Sequence, residues 1–381
     1  MDLCLIEELL VSEDTSDHTQ TQCSSENFCR ENPSGTCSTG TEQLNLKKLQ
    51  IPSNEQLDIP NASDLSVSTS TAIADAAIHI DTGMFYDNVV ITPHVFPIKK
   101  RGRRKKNDTS PKTKDYKHGL PDGSIIYVTY TCPINGLREK GCSKKKKKNN
   151  EKSKIFRNAV SVNMAIDQKF VNIKIPRTSR IQMTGINKGV DQIKRILGFL
   201  FDQFITIGCY TIADQPRQSL EDESKNSDEI PTTINFTLIT VMKNLLFNIG
   251  FELCRDLLRD NFNTRTNNDF IALPATREGY TGINIKTQYD FPSDMIVSTF
   301  EFDITTREYT EGTITYDEYI STLPEKKQRL ERTKSRWNTF LVFQTGKSTL
   351  SGMHTESMQI AYQKFLQYVT EFRADIEDNS T

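Results

Sequence analysis

The sequence has no CxxC pair among its eight cysteines, and none of its five histidines stands at ligand spacing from a cysteine or carboxylate. Zinc chemistry built on paired thiols is therefore not indicated. Cys23, Cys29 and Cys37 share a polar segment; a zinc site there is a weak alternative to free thiols in a reducing compartment. No metal or cofactor is expected. No apolar run approaches the ~20 residues that a membrane helix needs. The opening residues MDLCLIEELL lack the basic region and small-residue cleavage site of a secretory signal. An intracellular protein without a membrane partner is the expectation. Paired carboxylates, a Ser-His-Asp set and a Cys-His nucleophile are also missing as patterns, which argues against an enzyme.

One glycine is missing where it would matter most. Residues 339–353 read TFLVFQTGKSTLSGM, and GKST ends many phosphate-binding loops. That loop needs another glycine five positions before the GK glycine, a strand before it and a helix after it. Counting back from Gly346 gives Leu341, and the residues after Lys347 are β-prone. The stretch reads instead as a hairpin, with a strand at 340–343, a turn at 344–347 and a strand at 348–351, followed by a helix.

Charge is balanced in total and uneven in place. There are 48 Lys and Arg against 49 Asp and Glu, a net charge of −1. Residues 99–106 read KKRGRRKK and 144–148 are all lysine, whereas 221–229 read EDESKNSDE. A basic block is a nucleic-acid contact, a nuclear address or a solvated loop.

Residues 1–64 are expected to form a disordered region, because 11–64 are polar and poor in large apolar residues. Leu3, Ile6, Leu9 and Leu10 fall on one helical face, a short stretch for binding a partner. A first folded half is expected over 65–215, with basic inserts at 97–120 and 135–154. Its strands are read at 66–74, 123–130, 156–166, 169–175 and 180–185, with a short helix at 80–90. A long helix carries Val190, Ile193, Leu197, Leu200, Phe201 and Phe204 at helical spacing. An acidic linker at 216–230 precedes a second half at 231–375, with a charged insert at 290–335. This half shows a strand at 235–243, a helix carrying Phe251, Cys254, Leu257 and Leu258, and a strand pair at about 270–289. The hairpin and a final helix with Met358, Ala361, Tyr362, Phe365, Leu366 and Val369 close it.

The order repeats: strand, helix, several strands, long helix. VNIKIPRTSRIQMTG before the first long helix matches FLVFQTGKSTLSGM before the second. Two such units side by side give an α+β fold with one antiparallel sheet and helices on one face only. On the last strands, Gln182 and Thr184 in one half and Thr349 and Ser351 in the other point away from the core, beside Arg180 and Lys347. Small groups of this kind suit the DNA minor groove, where A·T pairs offer only acceptors. They are equally ordinary solvent-facing β-formers.

These residues carry a family resemblance. The chain resembles the TATA-binding-protein family, and most closely the TATA-binding-protein-like proteins of large nucleocytoplasmic DNA viruses. NFTLITVMK looks like the family's opening strand, which places a central contact on Asn235 and includes Thr237. Tyr280-Thr281-Gly282-Ile283 and LVFQTGKSTLSG look like two further motifs. By that match Tyr280 and Phe343 stand at intercalating positions, Thr349 and Ser351 at groove-contacting ones, and Lys347 at a phosphate-facing one. In the first half, Phe156 and Ile175 fall at or next to the intercalating positions, and Gln182 and Thr184 at the groove-contacting ones. The family's floor valines are here Gln182 and Thr349, and the wedges include Ile and Tyr, so a weaker kink or a different target is open.

The resemblance implies a duplicated saddle, one curved antiparallel sheet with helices on its convex face, seated on double-stranded A·T-rich promoter DNA. It implies recruitment of RNA polymerase through general initiation factors, and no catalysis. The site of action would be the nucleus or a cytoplasmic viral factory, with packaging in the virion also open. The rival reading is a degenerate saddle that serves protein interaction without sequence-specific DNA binding. An uncharged sheet floor with a positive rim favours DNA; acids on the floor favour the rival.

Overall fold

A computed structural model of the chain describes residues 65–96, 118–132, 136–142, 159–178, 180–212, 232–273 and 282–378. All of these lie in one compact unit, Ser53–Thr381. The N-terminal region, the three cysteines at 23–37, both lysine-rich blocks and the acidic linker lie outside the described residues.

Alternating apolar residues set the strands of the first half: β1 (Val67–Ala76), β3 (Ile125–Cys132), β5 (Ala159–Ile166), β6 (Lys169–Pro176) and β7 (Arg180–Ile186). Between them come a short β2 (Ile78–Ile80), α1 (Thr82–Asn88) and β4 (Gly136–Gly141). The strand β4 is a correction, since 135–154 reads as a loop in sequence. It lacks apolar periodicity and is tied down by its pairing with β3 and by Arg138, whose guanidinium lies 4.6 Å from the centre of the Tyr86 ring. The Asp81 side chain caps α1 by accepting from Met84 N. Helix α2 (Gly189–Ile207) ends at Gly208 with φ 72°, a left-handed cap that glycine adopts without strain. A short β8 (Tyr210–Ile212) then pairs β2.

The second half opens with β9 (Thr233–Asn248), much longer than the strand expected at 235–243. It continues with α3 (Arg255–Arg265), β10 (Ile271–Leu273) and β11 (Gly282–Tyr289). The hairpin is β14 (Arg336–Phe343) and β15 (Lys347–Gly352), followed by α6 (Thr355–Glu371) and α7 (Arg373–Ile376). Gly346 makes the turn with φ 73° and donates to Phe343 O at 2.9 Å. GKST thus lies between two paired strands, not between a strand and a helix. The insert is structured: β12 (Ile296–Asp303), β13 (Tyr309–Thr315), α4 (Tyr316–Ser321) and α5 (Glu325–Thr333).

The main sheet is antiparallel, in the order β10-β11-β14-β15-β9-β1-β7-β6-β5-β3-β4. Outward from the central β9/β1 pair, one side runs β15, β14, β11, β10 and the other β7, β6, β5, β3, both in falling chain order, with β4 added beyond β3. Two cores lie on one face. In the first, Ala72, Ala74, Ile173 and Met183 pack on Ile196, Leu200, Phe201 and Phe204 of α2. In the second, Ile285, Phe340 and Leu350 pack on α3 and α6. There the Phe340 and Phe365 rings stack at 4.3 Å. Val190 and Leu257, expected in these cores, are exposed.

The central strand serves both halves through one bulge. Ala72 pairs Thr240 but Thr71 pairs Met242, so Val241 is an extra residue. Before it Ile234, Phe236 and Leu238 face the first core; after it Leu245 and Phe247 face the second. The shift from even to odd positions keeps both apolar sets on the helix face.

Candidate nucleic-acid interface

The opposite face carries the candidate residues, and cross-strand register arranges them in rows. In the second half one row is Leu273, Asn284, Leu341, Thr349 and Leu246. The next is Ile271, Lys286, Thr339, Ser351 and Asn244. Ser351 Oγ donates to Asn244 Oδ1 at 2.7 Å. Phe343 and Lys347 flank a shallow cavity of about 590 Å3 that also touches Leu246 and Thr349. Leu246 is 57% exposed. Lys286 is the one charged residue of these two rows, and Phe343, Lys347 and Thr349 line the same cavity, with Ser351 two residues along β15.

The first half differs. One row is Thr129, Ser161, Lys174, Gln182, Ile73 and Ile239. Another is Arg180, Asp75, Thr237 and Thr299. Thr184, in the row with Asn172 and Thr71, is exposed. Asn235 and Thr237 face this side and are half-buried, with Glu301 of β12 paired to Asn235. Acids at Asp75 and Glu301 break the uncharged floor.

Part of this face is covered, which corrects the expectation of helices on one side only. Tyr319 and Ile320 of α4 pack with Ile239, Val297 and Tyr316 in a third apolar cluster. Ile239 is the cross-strand partner of Ile73, on the face away from Ala72 and Ala74. Tyr319 Oη donates to Asp75 Oδ2 at 3.2 Å, and Arg180 Nε lies 3.5 Å from the same oxygen. Gln182 is 2% exposed, and its Oε1 has no hydrogen-bond partner among the described residues. A buried acceptor left unpaired costs about 1–3 kcal/mol. Burial pushes the Tyr319 phenol well above its ordinary value, and the Tyr316 phenol up to about 12. Arg180 and Gln182 are therefore held inside this arrangement and not presented outward.

Ile175 is a second correction. It is fully buried in the first core, continuing the alternation of Val171 and Ile173, and has no access to a base step. Phe156 and Tyr280 lie outside the described residues. Sequence reasoning missed Asn244, Leu246 and Leu341; the period of two finds the first two once the bulge at Val241 is allowed for, and Leu341 by its alternation with buried Phe340 and Val342. Among the described residues, no group of three or more His, Cys, Asp or Glu is placed to hold a metal. No helix among them is long and apolar enough to cross a membrane.

The chain is similar to uncharacterized protein 335L of Invertebrate iridescent virus 6, at 24% identity over 350 residues. The match spans 87% of this chain and 98% of that protein. No family model matches the chain.

Proposed function

We propose that this protein is a DNA-binding transcription initiation factor whose open sheet face enters the minor groove of A·T-rich promoter DNA and which helps recruit RNA polymerase through general initiation factors. The observation that carries this reading is the strand order, which runs outward from β9/β1 in the same sense on both sides. That is the order a duplicated saddle of the TATA-binding-protein type requires, and the resemblance in the hairpin and opening strand points the same way. The viral origin of the similar protein fits the viral side of that resemblance.

The second half supplies the contact surface. Its floor of Thr349, Ser351, Thr339 and Leu341 places small and apolar groups against base edges, where A·T pairs have no amino group to clash. Phe343 sits at the rim as a wedge. Lys347 and Lys286 reach phosphates, and each phosphate neutralised steepens the salt dependence.

A second reading is favoured by two observations, the acids Asp75 and Glu301 on the first-half floor and the packing of α4 on Ile239 and Asp75. In it the saddle is a protein-interaction module that has lost sequence-specific DNA binding. Fluorescence anisotropy on short A·T-rich and G·C-rich duplexes across a salt series separates the two. A·T preference that survives moderate salt and is lost in Phe343→Ala supports the initiation factor. Equal, salt-labile binding that ignores Phe343 supports the module.

A further inference from the structure

We propose that α4, with α5 behind it, is a built-in lid that competes with duplex DNA for the central rows of the sheet. The inference rests on the minor-groove reading above. Three observations carry it. The lid lies on the rows that contain Arg180, Gln182, Asp75 and Thr237, so a duplex lying along the whole face would meet α4 there.

The fit beneath the lid is incomplete. Gln182 Oε1 is buried without a hydrogen-bond partner among the described residues. It stands in the row of Ile73 and Ile239, and the α4 side chains packed on Ile239 are two rings and an isoleucine. A duplex would offer the Gln182 amide partners that α4 does not. The row that α4 packs on thus keeps a polar group ready for another occupant.

The lid is also separable from the cores. Hairpin β12–β13 is anchored elsewhere, through Phe300 and Phe302 in the first core and Tyr309 Oη donating to Lys194 O at 2.9 Å. Helix α5 has no buried residue. On the sheet itself the lid is held by Tyr319, Ile320 and the neighbouring Tyr316. Lifting these leaves both cores intact. Closed, the lid confines DNA to the second half of the face; open, it admits a duplex along the full length.

The test uses the full chain with Tyr319→Ala and Ile320→Asp combined, which removes the latch and places a charge against Ile239. Anisotropy on a long A·T-rich duplex is read beside hydrogen exchange of 316–333 in the wild-type protein with and without that duplex. The lid predicts about tenfold or more tighter binding by the variant, since the closed fraction lowers apparent affinity. It also predicts that the wild-type α4 amides lose protection when DNA is added. The exchange measurement stands even if the variant folds poorly. Equal A·T-preferring binding by both proteins, with α4 protection unchanged by DNA, overturns the lid and leaves the minor-groove reading in place. No A·T preference in either protein overturns the minor-groove reading and the lid with it.

Discussion

The phenolic hydroxyl of Tyr319 donates to Asp75 Oδ2 at 3.2 Å, across 244 positions of the chain. This contact joins the charged insert to β1 on the face away from α2 and α6. It makes one sheet face unequal, with the second half open and the centre of the first covered.

Removing only that hydroxyl tests how α4 is held. Tyr319→Phe keeps the ring among Ile239 and Val297 and deletes one charge-assisted hydrogen bond, a net contribution of about 1.5–3 kcal/mol. Hydrogen exchange of 316–321 should quicken by about fivefold or more, while β5 and β6 amides stay unchanged. Unchanged exchange in α4 would mean that the apolar contacts alone hold it.

Two phenylalanines three residues apart should behave oppositely. Phe340 is fully buried and stacked on Phe365, so Phe340→Ala should cost about 3–5 kcal/mol in denaturant unfolding. Phe343, half-buried at the cavity rim, should cost only about 1 kcal/mol when changed to Ala, yet should weaken A·T binding. A large stability loss at Phe343 would make its effect on DNA uninterpretable as a wedge.

Gly346 holds the hairpin, not a nucleotide. A Cβ there would lie 2.4 Å from Phe251 O and 2.8 Å from Asn248 Oδ1, at a φ of 73°. Gly346→Ala should therefore lower stability by roughly 1–3 kcal/mol. Titration of the wild-type protein with Mg-ATP should show no saturable binding; a saturable heat would reopen the GKST motif as a phosphate site.

Asp167 ties the β5–β6 turn to α2. Arg195 and Lys188 donate to its carboxylate, and Gln192 Nε2 donates at 3.1 Å. Hydrogen bonding from Arg195 holds its pKa below the ordinary carboxylate value, against the opposing effect of burial. A depressed folded-state pKa gives stability that is present above the unfolded value of about 3.9 and is lost as pH falls through the folded one. Asp167→Asn should lower the Tm at pH 7, and the gap to wild type should close below about pH 3.9. A gap that persists in acid would assign the loss to geometry, not charge.

The regular elements were legible because their signals are local. Alternation at Val171, Ile173 and Ile175 and the helical spacing of Phe201 and Phe204 need no knowledge of the rest of the chain. The same alternation places Ile175 in the core, and motif matching overrode it with a wedge role. The bulge at Val241 was hidden because one extra residue leaves no mark in composition. The covering of Asp75 and Ile239 was hidden for a different reason: it comes from α4, in a segment far along the chain. Tyr316, Tyr319 and Ile320 do stand at i, i+3 and i+4 behind a Thr315/Glu318 capping box. Within a charge-rich insert that six-residue signal reads as solvated surface.

The most direct measurement replaces the A·T pairs of a bound duplex with I·C pairs. Inosine lacks the guanine amino group, so an I·C pair shows an A·T-like minor groove and a G·C-like major groove. The account predicts that the I·C duplex binds as tightly as the A·T duplex and that G·C binds weakly. I·C binding as weakly as G·C would place the reading in the major groove. Equal binding to all three would leave only phosphate contacts, and either result contradicts the minor-groove interface.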